Sequence, residues 1–167
     1  MDTKDIQKAH GHWILAKMGK RVLRPGGKEL TKKLIDSLAF NASDDVVEFA
    51  PGMGFTASLT LAHKLHSYVG IDADEDIVRM LSKKLQSAQA SFNLGNASQT
   101  NLKSASKDKV YGEAMLTMHA DHRKCEIIRE AHRILKKGGW YAIHELGLTN
   151  VDETLKNNNR PATSAYI

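Results

Sequence analysis

The residues with the clearest capacity for chemistry lie in one glycine-containing segment and at one acidic position downstream. Gly52 and Gly54 follow the apolar run Val46–Ala50, and glycines in such a turn let the backbone approach a ligand without a Cβ in the way. Asp72 comes twenty positions after Gly52, the spacing at which a carboxylate can accept hydrogen bonds from both hydroxyls of a ribose. Together the turn and the carboxylate predict a site for an adenosine-containing ligand.

The turn also limits which nucleoside compounds fit. No Gly-Lys-Ser/Thr sequence follows the glycines, which excludes a phosphate-cradling P-loop in its usual form. Ala57 stands where a dinucleotide fingerprint has its third glycine, so a dinucleotide is allowed but not favoured. Glu48, just before the turn, would repel a pyrophosphate and would suit a ligand that carries an ammonium or sulfonium group.

The elements that must position these residues are short apolar runs that alternate with helical patterns. We expect strands at 46–50, 68–72, 90–94, 109–116 and 140–146, and helices at about 29–39, 55–65, 74–85 and 122–135. Strand and helix alternating five times predict an α/β fold, a doubly wound parallel sheet with helices on both faces.

The helix at 122–135 carries two further expectations. Its end is predicted at Lys136–Gly139, because cations suit the negative helix terminus and glycine tolerates a left-handed cap. Its inward face is predicted to hold Cys125 and the apolar positions Ile127, Ile128, Ala131, Ile134 and Leu135.

Composition fits one soluble domain. The chain has 167 residues, no apolar run near the ~20 residues that cross a bilayer, and a polar start without the apolar stretch of a secretory signal. Its single cysteine, Cys125, agrees with a reducing compartment. We therefore expect a cytoplasmic protein that does not associate with membranes.

The formal charge of +5 is concentrated at the beginning of the chain, where residues 1–40 hold nine basic and four acidic side chains. One interpretation is a basic flap that attracts an anionic substrate, nucleic acid or surface. The favoured one is the solvated face of amphipathic helices. We divide the chain into an N-terminal helical arm or lid at 1–40, a ligand-binding domain at 41–148 and a polar tail at 149–167.

Four segments in order resemble the class I S-adenosylmethionine-dependent methyltransferases, particularly the branch labelled type 11. Glu48–Gly54 is similar to the family's first motif, with Ala50 in place of its first glycine, and Asp72 matches its ribose-binding acid. Gly95–Ala97 resembles the segment that meets the adenine, with Asn96 replacing the usual aspartate. Arg129–Gly139 resembles the late motif before the fifth strand. The resemblance covers about 44–148 and implies a Rossmann-like sheet of about five strands in the order 3-2-1-4-5.

The resemblance also implies site residues. S-adenosylmethionine is the expected cofactor, with S-adenosylhomocysteine as its product. Glu48 would orient the methionine part, directly or through water, and Asp72 would hold the ribose. The remaining cofactor contacts would come from Ala50, Gly52 and Gly54 around the methionine part and from Ala73, Asn96 and Ala97 around the adenine.

Catalysis in this family needs alignment and exclusion of water more than acid-base chemistry. A base helps where the acceptor is a hydroxyl or an ammonium group. Candidates for such a base are His119 and His144, each of which is otherwise a surface or structural residue. Glu113, expected at the end of the fourth strand, would lie where the family places residues that face the transferred methyl, and is otherwise an exposed acid at a strand end. A metal site at His119, His122 and Cys125 is disfavoured, because their spacing drifts around a helix and no fourth ligand follows.

Family members usually continue after the fifth strand with a helix and an antiparallel hairpin. Only 22 residues follow Glu145, so we expect a sheet without that hairpin and with the strand at 140–146 on its edge. An apolar edge strand tends to pair with another chain, which predicts a homodimer through this edge, or else cover from the tail.

The predicted function is methyl transfer to a small-molecule acceptor. A protein that binds the cofactor without catalysis is the first alternative. An RNA-directed methyltransferase is disfavoured, because no aromatic-rich basic strand and no Asn-Pro-Pro-Tyr-like tetrad are present. A nicotinamide-dependent dehydrogenase is the remaining alternative.

Overall fold

The structure, a computed structural model, describes residues 26–146. The strands are β1 (Asp45–Phe49), β2 (Ser67–Asp72), β3 (Ala90–Leu94), β4 (Lys107–Glu113) and β5 (Leu135–His144), and the helices are α1 (Gly27–Leu38), α2 (Phe55–Leu61), α3 (Glu75–Lys84) and α4 (Asp121–Ile134). The strands form one parallel sheet in the order β3-β2-β1-β4-β5. The predicted α/β fold and strand order are confirmed.

Some expectations fall outside the described residues. These are most of the N-terminal arm at 1–40 and the tail at 149–167. None of the helices between residues 26 and 146 is long and apolar enough to span a bilayer.

The central strands are buried on both faces, which explains their continuous apolar sequences. Val46, Val47 and Phe49 of β1 have no exposed surface. β1 pairs with β2 on one side and with β4 on the other. The carboxyl ends of three neighbouring strands therefore meet at one edge of the sheet, where a doubly wound fold binds its ligands.

Helices cover the sheet in two layers. On one face α1, α2 and α3 pack over a core that includes Leu34, Leu38, Ala57, Ile77, Leu81, Tyr68 and Tyr111. On the other face α4 packs over a core that includes Ile127, Ala131, Ile134, Phe49, Ile71 and Val110. Side chains alternate along each strand, so residues two apart, such as Tyr111 and Glu113, share the face covered by α1 and α2.

The junction between α4 and β5 differs from the prediction. The helix ends at Ile134, and Leu135 is already extended. The amides of Ala105 and Ser106 donate to the last helical carbonyls, those of Arg133 and Ile134, at 3.0 and 2.8 Å. The expected cap at Lys136–Gly139 was wrong, because amides from another loop satisfy this helix end.

The fifth strand accordingly occupies Leu135–His144 instead of 140–146. Its register against β4 shifts between Lys107 and Lys109, so residues 136–139 form an irregularity within the strand. Lys136 does not lie over the helix terminus; its ammonium group bridges the carboxylates of Asp45 and Asp108 at 3.0 and 2.8 Å.

The inward face of α4 is narrower than predicted. Ile127, Ala131 and Ile134 are buried, but Ile128 is 45% exposed and Cys125 is exposed. A helix turns about 100° per residue, which places Cys125 about 200° away from Ile127 around the axis. The prediction of Cys125 as a core residue was wrong.

Candidate functional site

The glycine segment forms the turn between β1 and α2. Ala50, Gly52 and Gly54 have φ angles of 52°, 52° and 78°, in the left-handed region that favours glycine. A Cβ on Gly54 would lie 2.4 Å from the Leu81 side chain. Ala50 is also in this left-handed conformation, which is less favourable for a residue with a Cβ than for glycine. This explains why the related family usually has a glycine at this position.

Asp72, at the end of β2, is hydrogen-bonded to this turn. Its Oδ2 accepts the amide of Gly52 at 3.3 Å, and its Oδ1 accepts the amide of Asp74 at 3.0 Å. Asp74 caps α3, because its side chain accepts the amides of Asp76 and Ile77. The structure therefore brings the two features of the sequence motif together, and it identifies Asp74 as a helix-start residue.

The segment after β3 lies beside Asp72. The Gly95 amide donates to the Asp72 carbonyl at 2.9 Å. Asn96 is exposed, and its Oδ1 accepts the amide and the hydroxyl of Ser98, both at 3.0 Å. Ala97 is 9% exposed and belongs to the core beneath α4, whereas Ala73 is exposed. Within the described residues, the Asn96 side chain thus stabilises the turn from Asn96 to Ser98.

Glu48 is buried below the turn, with 3% of its surface exposed. Its Oε2 accepts the hydroxyl of Tyr68 in β2 and, at 2.7 Å, the hydroxyl of Tyr111 in β4. The pKa values of Tyr68 and Tyr111 are raised well above the usual value of a tyrosine. The largest cause is burial, and the second is the negative charge of Glu48. Both phenols therefore stay protonated as donors, and Glu48 links the three central strands at the base of the turn.

Glu113 and His144 form a pair at the carboxyl ends of β4 and β5. Glu113 Oε1 lies 2.8 Å from His144 Nδ1. The same carboxylate accepts the hydroxyls of Thr31 in α1 at 3.0 Å and of Thr56 in α2 at 2.5 Å. Thr56 follows the glycine turn by two residues, so the pair is joined directly to the start of α2.

The second ring nitrogen of this histidine is unusual. His144 Nε2 is buried and makes no hydrogen bond within the described residues. His119, the other histidine candidate, is exposed at the end of a short 3-10 turn, Leu116–Met118. The structure thus joins two of the three catalytic candidates and leaves His119 on the surface.

Sequence reasoning missed the residues that hold the loop after β3. Glu130 in α4 accepts the amide and hydroxyl of Thr100, and Arg133 donates to Glu130 and to the Leu102 carbonyl. Both belong to the late motif, whose charged residues were assigned no role. The spacing of three residues between Glu130 and Arg133 on a predicted helix could have indicated an ion pair. It could not have indicated the contacts with the loop, because the loop partners lie about thirty residues away in the sequence.

A cavity of about 460 Å³ lies at the opposite, amino-terminal end of the strands. Lys109 and Lys136 at its wall are paired with carboxylates, those of Asp44 and Asp108. Its other lining residues include Lys137 and Trp140. It lies at the end of the sheet opposite the glycine turn and is not part of the candidate site.

Comparisons with known proteins find a matching family profile and a relative of similar sequence. The family profile described as "Methyltransferase domain" matches residues 47–143. An uncharacterised protein of Haemophilus influenzae is 33% identical over 163 residues, which cover 94% of this chain and 64% of that protein. The chain therefore spans somewhat less than two thirds of this relative.

Solved structures share the fold. A candidate methyltransferase of Bacillus halodurans has a TM-score of 0.65 at 22% identity, over 74% of this chain and 53% of that one. The Haemonchus contortus phosphoethanolamine N-methyltransferase 1, in complex with phosphoethanolamine and S-adenosylhomocysteine, has a TM-score of 0.63 at 20% identity, over 74% of this chain and 28% of that one.

Proposed function

Because this chain belongs to the methyltransferase-domain family, we propose that it binds S-adenosylmethionine at the carboxyl edge of its sheet and transfers the methyl group to a small-molecule acceptor. The observation that carries this proposal is the hydrogen bond between the Gly52 amide and the Asp72 carboxylate. It joins the glycine turn and the ribose-type acid into one site.

The residues present fit an adenosyl ligand. A Cβ on Gly52 would meet only the Ala50 carbonyl oxygen, at 4.0 Å, so the space beside the turn is open to a ligand. We assign the methionine part to Ala50, Gly52 and Gly54, with Glu48 fixing β1 below them, and the ribose to Asp72. The adenine would lie against Ala73, Asn96 and Ala97.

Bound S-adenosylmethionine would supply a methyl group made electrophilic by its sulfonium. The chain has to bind and orient it, and the buried network around Glu48 keeps the turn in a fixed position for that purpose. A preorganised site that excludes water favours the transfer, because fewer groups have to reorganise as charge moves.

The proposal extends to the acceptor, the location and the oligomeric state. A small acceptor is favoured by the Haemonchus contortus enzyme, whose structure holds phosphoethanolamine. Binding of the cofactor without catalysis is the first alternative, and an RNA acceptor is the second. We also propose a cytoplasmic protein that forms a homodimer through β5, which pairs only with β4 among the described strands.

The test is calorimetric titration of the purified protein with S-adenosylmethionine, S-adenosylhomocysteine and NAD. Asp72→Ala should weaken binding of the first two compounds about tenfold or more, since a hydrogen bond to a charged group contributes about 1.5–3 kcal/mol. Glu75→Gln is the matched control, because this nearby exposed carboxylate pairs with Arg79 on its own helix. Selective NAD binding, or equal affinity in Asp72→Ala, would contradict the proposal.

A further inference from the structure

We propose that His144 is the general base of this site and that the methyl acceptor is a hydroxyl compound, an inference that rests on the proposed function. The imidazole is nearly buried, with 12% of its side chain exposed, and its carboxylate partner Glu113 is 2% exposed. Nε2 has no hydrogen-bond partner within residues 26–146. A buried polar atom is normally hydrogen-bonded, so this nitrogen is available to a group that residues 26–146 do not supply.

The hydrogen bonds determine what this nitrogen can do. Glu113 accepts hydroxyl hydrogens from Thr31 and Thr56, so its carboxylate acts as an acceptor toward His144 as well. The proton of a neutral imidazole therefore lies on Nδ1, facing Glu113. Nε2 then carries the lone pair and requires a donor. Glu113 is a positioning residue that fixes this tautomer.

The sheet places the pair in line with the glycine turn. Phe49 is level with Gly112, and Glu113 is level with His144. Glu113 therefore stands one residue beyond the end of β1, in the same row as Ala50. Neighbouring strands lie about 4.8 Å apart, so the His144 backbone is about 10 Å from the turn. The pair and the turn therefore lie at the same edge of the sheet.

The chemistry favours a hydroxyl over an uncharged amine. An uncharged amine has a basic lone pair and needs no base before it forms a bond, whereas a hydroxyl oxygen becomes strongly acidic as it does so. The acceptor oxygen forms the new bond to the methyl carbon while the carbon–sulfur bond breaks with its electron pair on sulfur. The hydroxyl proton moves to Nε2, and the resulting imidazolium is neutralised by Glu113.

The experiment is NMR of protein with ¹⁵N-labelled histidine rings, titrated with S-adenosylmethionine and with S-adenosylhomocysteine. These compounds differ by the methyl group and the positive charge on sulfur. We expect the His144 Nε2 resonance, assigned by its loss in His144→Gln, to show an unprotonated nitrogen and to differ between the two complexes. His66 is the internal control, because it pairs with Asp45 at 2.8 Å at the opposite end of the sheet and should not change.

Each result decides the question. An Nε2 resonance that is identical in the two complexes, or that carries the proton at neutral pH, overturns the role of His144 and leaves cofactor binding intact. Failure of both compounds to bind overturns the proposed function and this inference with it.

An activity assay tests the acceptor class with two probes, phenol and aniline. The protein should methylate phenol, and His144→Gln should lower that rate at least tenfold with unchanged cofactor affinity. Methylation of aniline at a rate that His144→Gln does not change would overturn the hydroxyl assignment.

Discussion

Glu130 Oε1 accepts both the backbone amide of Thr100, at 2.8 Å, and its hydroxyl, at 2.5 Å. Arg133 completes this arrangement, because it pairs with Glu130 and donates to the carbonyl of Leu102 at 2.7 Å. The end of α4 therefore holds the loop that begins at Asn96, the residue proposed at the adenine.

Glu130→Gln should lower the free energy of unfolding by about 2 kcal/mol. Glu130 is 8% exposed, and replacing its carboxylate leaves the donors of Thr100 and Arg133 poorly satisfied. Urea denaturation measures the change. Glu126→Gln is the matched control on the same helix, because its ion pair with Arg123 is exposed and should contribute less than about 1 kcal/mol. Equal losses in both variants would contradict the role of Glu130.

The Glu130 carboxylate should also make the free energy of unfolding depend on pH. The hydrogen bonds from Arg133, followed by those from Thr100, lower the pKa of Glu130 from 4.5 to about 2. The unfolded chain then binds the proton more readily, so this contribution is complete above pH 4.5 and is lost as the pH falls toward 2. The loss should be on the order of 3 kcal/mol. Unfolding free energies measured between pH 6 and 2 should fall less steeply in Glu130→Gln, and an unchanged slope would exclude this explanation.

Ala50→Gly should stabilise the protein by up to about 1 kcal/mol. Ala50 has a φ of 52°, and a left-handed conformation costs a residue with a Cβ about 1–2 kcal/mol, which the greater chain entropy of glycine offsets in part. Thermal unfolding measures the difference. Ala88→Gly is the control, since Ala88 is exposed and has no positive φ, and it should destabilise slightly. A lower melting temperature in Ala50→Gly would show that no strain is present.

Trp140→Lys should shift the proposed dimer toward monomer. Trp140 lies in the edge strand β5 and is 70% exposed, and lysine on an edge opposes strand pairing between chains. Sedimentation over a range of concentrations measures the mass. Met118→Lys is the control, because Met118 is 82% exposed but lies in the 3-10 turn outside the sheet. A wild-type protein that is monomeric throughout would exclude the dimer.

Part of the site could be predicted from sequence because its determinants are local. The turn from Gly52 to Gly54 and the cap at Asp74 each lie within a few consecutive residues, where backbone conformation follows residue type. Asp72 was predicted from its spacing, since the end of a neighbouring parallel strand comes at a nearly fixed distance along the chain. The alternation of strands and helices determined the fold class in the same way.

Only the tertiary structure decided which side chains meet. Glu113 and His144 are separated by 31 positions, and Glu48 and Tyr111 by 63; the register between strands brings each pair together, and no local pattern encodes that register. The end of α4 was mispredicted for the same reason, because amides from the distant residues 105 and 106 bond to its carbonyls. The sequence by itself determined the fold and the glycine turn. Long-range packing decided which side chains Glu48, Glu113 and His144 contact.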